Sequence, residues 1–290
     1  MIIKLKFSVI IPTYNSSKTI VRSLQSIIDQ TLEPYEVIVI DDGSSDYEAL
    51  KCKVNEFNVP NFNIHLLRNE SNLNASVARN RGIDFASGDY IAFMDADDEW
   101  ENDKLYRYDQ EINLYGNQYV YFSQVAVILD GEYKSTRPVK GPIYNQDISE
   151  YLFLDGGFIQ TSSIIVSREL AAKVKFDERF RRHQDYDFCL RASCDYQFRF
   201  LKTPLSRYHV SQVLYNLKSE NSKYCLWWLH EMKPYITKRG YFGYMLFPLS
   251  ARLFNEKKYY LLFRNILSSI IGLGFKGLIS SRGKLADVFR

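Results

Sequence analysis

Three times in the first hundred residues an unbroken apolar run ends abruptly in a polar cluster. These are "FSVIIPTYN" from Phe7, "EVIVIDDGSSD" from Glu36 and "YIAFMDADDEW" from Tyr90. Short continuous runs of this kind suit strands buried on both faces of a parallel sheet. Helical spacing fills the gaps between them. In "SSKTIVRSLQSIIDQ", Ile20, Leu24, Ile27 and Ile28 fall on one face, and Ser16 or Ser17 is placed to cap it. "YEALKCKVNEF" and "SVARNRGIDFA" read as two more helices, and "NIHLL" as a further strand. The alternation predicts an α/β sandwich on a mainly parallel sheet with flanking helices. Ligands bind such sheets beyond the C-terminal ends of the strands, where "PTYN", "DDGSSD" and "DADD" all fall.

After Trp100 the pattern changes. "KLYRYDQEINLYG" has helical spacing, and "YVYFSQVAVILDGEYKS" reads as a hairpin turning at Asp130-Gly131. "GGFIQTSSIIVSREL" reads as a loop, a strand and a helix start. "RRHQDYDFCLRASC" reads as a helix N-terminus crowded with polar groups. Composition turns aromatic and basic near 210–220. The expected division is therefore residues 1–215 for the catalytic α/β domain and 216–290 for a helical extension.

The chemistry lies in the clusters. Asp95, Asp97, Asp98 and Glu99 crowd four acids into five residues, and such charges need solvation or partners. Asp95 and Asp97 flank one residue at a strand exit, so a turn can aim both carboxylates at one point. Mg²⁺ or Mn²⁺ favours such oxygens and commonly takes one or two of them plus substrate phosphates. An isolated D-x-D is more often a solvated turn; its position level with two other polar strand exits favours the metal. Asp41 and Asp42 can accept hydrogen bonds from a base or ribose, Gly43 permits close approach, and Tyr14 can stack on a planar base. Helix capping or packing would also account for these residues.

The four cysteines form no C-x-x-C pair, which fits reduced thiols, and "MIIKLKFSVIIPTYN" has no secretory h-region; a cytoplasmic protein is expected. Net charge is +3 but unevenly spread. From Met232 onward, 11 Lys or Arg face two acids, Glu256 and Asp287, a balance of +9. The first 231 residues carry 26 basic and 32 acidic residues, a balance of −6. A basic, aromatic tail suits a basic amphipathic helix lying on an anionic membrane surface, and equally a helical subdomain packed on the core. "NILSSIIGLGFKGLISS" is too short and polar to be read as a membrane span. No nucleic-acid partner is expected.

Together "FSVIIPTYNSSKTIVRSLQSIIDQT", "EVIVIDDGSSD", "ASVARNRGIDFASGDYIAFMDADD" and "HQDYDFCLRA" resemble the family 2 inverting glycosyltransferases of GT-A fold, a Rossmann-like architecture, over Phe7 to His209. The resemblance implies a UDP-sugar donor and a divalent metal. It also implies that Pro12, Tyr14 and Asp42 contact the base, and that Arg79 lies near the uracil or phosphates. Asp95 would face the ribose and sugar, and Asp97 would ligate the metal. His209, in "RYHV", would complete the metal shell. Where many members carry Glu-Asp, this chain has Gln184-Asp185, so Asp185 is the implied base. Asp187 would hold the helix start or bind acceptor. The bacterial type implied extends surface polysaccharide on a polyprenyl-diphosphate-linked acceptor, at the inner face of the cytoplasmic membrane. Two rivals are a silent nucleotide-sugar-binding or scaffold protein, and a phospho-receiver domain. The receiver needs its acidic pair after the first strand, where this chain has "PTYN".

Overall fold

A computed structural model describes residues 4–57, 59–211 and 221–280, with side chains described as far as 274. The expected boundary at 215/216 and residues 281–290 of the basic tail lie outside the described residues. Strands β1 (Phe7–Thr13), β2 (Glu36–Asp41), β3 (Asn63–Arg68) and β4 (Tyr90–Phe93) pair in parallel in the order β3-β2-β1-β4. The apolar runs are strands buried on both faces, as their unbroken character requires. Val9, Ile11, Val37 and Val39 point into one apolar cluster, and Ile10, Ile38 and Ile40 into the other. Helices α1 (Ile20–Ile28) and α2 (Tyr47–Asn55) pack on the first face, and α3 (Ala75–Phe85) on the second. The chain thus reverses its direction of winding between β1 and β4.

The rest of the sheet is mixed. After β5 (Glu99–Trp100) and α4 (Lys104–Tyr115) come β6 (Tyr119–Leu129) and β7 (Glu132–Arg137). These two form the expected hairpin, with Asp130 at φ 48° and Gly131 at φ 90°. Helix α5 (Ile148–Phe153) precedes β8 (Ile165–Ser167), which pairs antiparallel with β4. Ser167 caps α6 (Arg168–Val174) by accepting from the Leu170 amide. Helix α7 (Gln184–Ala192) leads to β9 (Gln197–Val210), which runs parallel to β6 and antiparallel to β5. The helix-capping expectation at α1 differs in detail. Ser16 Oγ bonds the Tyr14 carbonyl, so α1 starts at Ile20 without a side-chain cap.

The C-terminal region is helical: Ser222–Glu231, Lys238–Tyr244, a π-helical turn Met245–Leu249, Ser250–Asn255 and Tyr259–Ser280, the last kinked at Gly274. Its inner side chains Trp228, Tyr244, Leu249 and Leu253 share one core cluster with Phe93, Phe153 and Phe188. On its outer side Tyr260, Phe263, Leu267 and Ile271 recur at helical spacing and are all exposed. No described helix is long and apolar enough to cross a membrane. All four cysteines are free thiols.

Candidate active site

Beyond the C-terminal ends of β1 and β4, at the reversal in strand order, lies a cleft of about 340 Å³. Pro12 lines it from β1, Arg79 from α3, Asp95 and Asp97 from the turn after β4, and Asp185 from the first turn of α7. Arg181, Arg182 and His183 add three groups for which the sequence gave no site expectation.

The four acids after β4 are sorted by the turn into separate surroundings. Asp95 Oδ1 accepts from Arg79 Nη2 at 2.6 Å, and its Oδ2 accepts from Gln160 Nε2 at 3.2 Å. Asp98 turns inward and is fully buried. It accepts from Gln160 Nε2 at 2.8 Å, Ser162 Oγ at 2.5 Å and the His209 amide at 3.0 Å. Burial pushes the Asp98 carboxyl well above its ordinary range, and nearby Asp97 and Asp95 push the same way. Lys104, equally buried, donates to Ser206 Oγ at 2.8 Å and to the Ser162 carbonyl, and burial holds its ammonium well below the usual lysine range. Glu99 meets Arg22 at 3.1 Å and His209 Nε2 at 2.8 Å. Helix α1 holds the turn's backbone, with Arg22 donating to the Asp97 carbonyl and Ser23 Oγ to the Asp98 carbonyl at 2.7 Å.

Only Asp95 and Asp97 of these acids reach the cleft. Among the described residues, no three or more His, Cys, Asp or Glu side chains form a cage for a metal ion. Two carboxylates facing a polar cleft nevertheless fit Mg²⁺ or Mn²⁺, which completes its shell with phosphate oxygens and water. His209 does not line this cleft. It faces a separate cavity with Glu99, Glu101 and Arg207, and burial together with Arg22 lowers its pKa.

Asp185 is partly buried at the cleft wall, and its carboxyl is pushed up to about 6. Burial is the main cause and the charge of Asp95 adds to it; the Tyr186 amide, donating at 2.9 Å, and Arg79 oppose it. Gln184 Oε1 accepts from Arg79 Nη1 at 2.7 Å, so Arg79 bridges the acid turn and the start of α7. Asp187 is buried, pairs with Arg191 at 2.6 Å and accepts from the Asp177 amide, which ties α7 to the segment that precedes it.

Asp42 and Tyr14 stand outside the cleft lining. Asp42 is buried and accepts from Asn69 Nδ2, the Leu73 amide and the Asn74 amide, thereby fixing the loop before α3. Tyr14 is 51% exposed. Gly43, at φ 71°, is the close approach the sequence foreshadowed, but its neighbour is protein backbone: a Cβ there would meet the Ser71 carbonyl carbon at 2.5 Å.

Residues 8–175 match the family model described as glycosyl transferase family 2. The chain belongs to that family. Over 257 residues, 86% of this chain and 84% of the relative, this family 2 glycosyltransferase is 41% identical to the amylovoran biosynthesis glycosyltransferase AmsB of Erwinia amylovora. Over 98 residues, 34% of this chain and 37% of the relative, it is 44% identical to the Escherichia coli UDP-Glc:alpha-D-GlcNAc-diphosphoundecaprenol beta-1,3-glucosyltransferase WfgD. The crystal structure of S. aureus TarS 1-349 in complex with UDP-GlcNAc superposes with a TM-score of 0.59 at 17% identity. That match covers 98% of this chain and 80% of TarS 1-349 and establishes the shared GT-A fold. The family model ends within the residues after α6, so Asp185 and His209 lie beyond it.

Gln160, Ser162 and Lys104 escaped the sequence reading. "IQTSS" carries no periodic or charge signal, and Lys104 sits where helical spacing alone allows either exposure or burial.

Proposed function

We propose that this glycosyltransferase is inverting and metal-dependent. It moves a hexose or N-acetylhexosamine from a UDP-sugar to a hydroxyl of a lipid-linked saccharide acceptor, forming a β-glycosidic bond in surface polysaccharide assembly. The observation that carries this reading is the convergence of Asp185, Arg79, Asp95 and Asp97 on one cleft at the reversal in strand order. The names of AmsB and WfgD support the polysaccharide setting, and those of WfgD and the TarS complex support the donor class.

Asp185, with its carboxyl near 6, is mostly ionised at neutral pH yet more basic than an ordinary aspartate, which suits a general base. It takes the acceptor hydroxyl proton as that oxygen attacks the anomeric carbon. The bond from that carbon to the UDP oxygen breaks on the opposite side, so the centre inverts and UDP departs. Arg79, Arg181 and Arg182 give the cleft positive charge suited to a diphosphate. Asp97, with Asp95 beside it, is the residue that would hold Mg²⁺ or Mn²⁺, and the ion would neutralise charge on the leaving diphosphate. His209 would have to exchange Glu99 for the ion to join that shell. Pro12, Tyr14 and the loop fixed by Asp42 frame the base. Residues 1–215 carry the cleft residues, and 216–290 form the extension, whose exposed apolar stripe rests on the anionic inner face of the cytoplasmic membrane.

The test is a donor screen with purified protein, Mn²⁺ or Mg²⁺, a panel of nucleotide sugars and a synthetic lipid-diphosphate sugar, reading released nucleoside diphosphate. UDP release from one donor, lost in Asp185→Ala, supports the reading. UDP binding by calorimetry without release from any donor favours a silent binding protein.

A further inference from the structure

We propose that the C-terminal helices are part of the catalytic machinery, with Tyr224 and Tyr244 as positioning residues that clamp the Arg182-His183 turn and so aim Asp185 and Gln184 at the cleft. The proposal rests on the reading of Asp185 as the base.

The clamp is polar and specific. Tyr224, on the helix Ser222–Glu231, accepts through its hydroxyl from the Arg182 amide at 3.1 Å and donates to the Arg182 carbonyl at 2.9 Å. One phenol therefore satisfies both backbone groups of a cleft-lining residue. His183 follows, at φ 59°, a left-handed backbone that a residue with a Cβ adopts only when its surroundings hold it there. Its Nε2 lies 2.7 Å from the Tyr244 hydroxyl. Its ring is boxed by Trp228 at 4.9 Å, Tyr186 at 5.3 Å and Tyr244 at 5.8 Å. A further tie, from the helix that carries Tyr224, joins Glu231 to Arg179 at 2.6 Å.

Apolar burial of the extension would account for Trp228, Leu249 and Leu253. It does not require a hydroxyl on both backbone groups of Arg182, nor an imidazole-phenol bond at the residue just before α7. Those contacts act on backbone direction. His183 immediately precedes Gln184 and Asp185, so a change in its dihedrals swings both side chains relative to Arg79 and Asp95. A displacement of about 1 Å at a reacting group can cost about 100-fold in rate.

The experiment compares the full chain with Tyr224→Phe, Tyr244→Phe and the double variant, taking Tyr106→Phe, exposed on α4, as control. The Phe variants keep the rings and thus the packing. Two readouts are taken: hydrogen exchange of peptides spanning 180–188 against peptides of β1 and β2, and kcat and KM in the donor assay. Tyr244→Phe, which loses one hydrogen bond, is expected to speed exchange about five- to tenfold in 180–188 alone, and Tyr224→Phe, which loses two, by more. The same variants should lower kcat about tenfold with donor KM within about twofold. Unchanged exchange in 180–188 overturns the clamp. Faster exchange with unchanged kcat overturns its catalytic role and leaves a packing contact. Absence of turnover in the parent chain for every donor would remove the base assignment on which the proposal rests, and with it the catalytic role, while the exchange data still decide whether the clamp exists.

Discussion

Arg79 donates from Nη2 to Asp95 Oδ1 across 2.6 Å, with the arginine side chain 5% and the aspartate 25% exposed. The same guanidinium reaches Gln184 Oε1 at 2.7 Å. One fork thereby joins the end of β4 to the start of α7. Arg79→Ala should lower kcat/KM by about 10²–10³, the loss typical of one preorganised charge donor, and Arg79→Lys should not restore it, because an ammonium cannot span both partners. Steady-state UDP release checks this.

The pH dependence follows from Asp185. Its folded carboxyl, near 6, lies above its ordinary 3.8. Between those values the folded chain holds the proton more tightly than the unfolded chain, so this group favours folding at low pH and that advantage is lost as pH rises through 6. Activity, which needs the ionised base, should rise through about pH 6 and then level off. Asp185→Asn should cut kcat by about 10²–10⁴ while leaving Tm at pH 7.5 equal or higher. Gln184→Glu adds a negative charge beside Asp185 and should move the acidic limb of the rate profile upward.

Metal removal should abolish turnover. EDTA is expected to stop UDP release, and Mn²⁺ or Mg²⁺ to restore it. Asp97→Asn should raise the metal concentration required by at least tenfold without shifting Tm. Full activity in EDTA would discard the metal reading.

Asp98 shows the opposite behaviour. It has three hydrogen-bond partners, Gln160, Ser162 and the His209 amide, and does not line the active-site cleft. Asp98→Ala leaves those donors without this acceptor and should destabilise by roughly 1–3 kcal/mol in urea unfolding. The surviving folded fraction should still bind UDP.

The outer stripe of the Tyr259–Ser280 helix is open to a direct test. Phe263 is 66% and Ile271 73% exposed. Phe263→Asp with Ile271→Asp should reduce co-sedimentation with vesicles containing anionic lipid by about tenfold while Tm stays unchanged. Equal sedimentation would remove the membrane contact.

Much of this arrangement is written locally. Unbroken apolar runs suit strands covered on both faces, and 3.6-residue spacing between them suits helices laid on a sheet, so the layered α/β class and the polar strand exits were legible in the sequence. The order β3-β2-β1-β4 came from the tertiary structure. The Asp130-Gly131 hairpin was legible as well, since two successive positive φ angles are a local demand. Asp95 and Asp97 were legible because their spacing falls at a strand exit, whereas Pro12, Arg79 and Asp185 became candidates through the resemblance to family 2 glycosyltransferases. Tertiary structure decided the partners. Asp98 is one residue from Asp97, yet it turns into the core; His209 faces Glu99, and Asp42 spends its oxygens on the loop before α3. Gln160 and Ser162, 62 and 64 residues from Asp98, and Tyr244, 61 residues from His183, meet them only after the chain has closed. A side chain's period is fixed by its own neighbours in sequence. Its hydrogen-bond partner, and hence its charge, is fixed by what the completed fold brings within 3 Å.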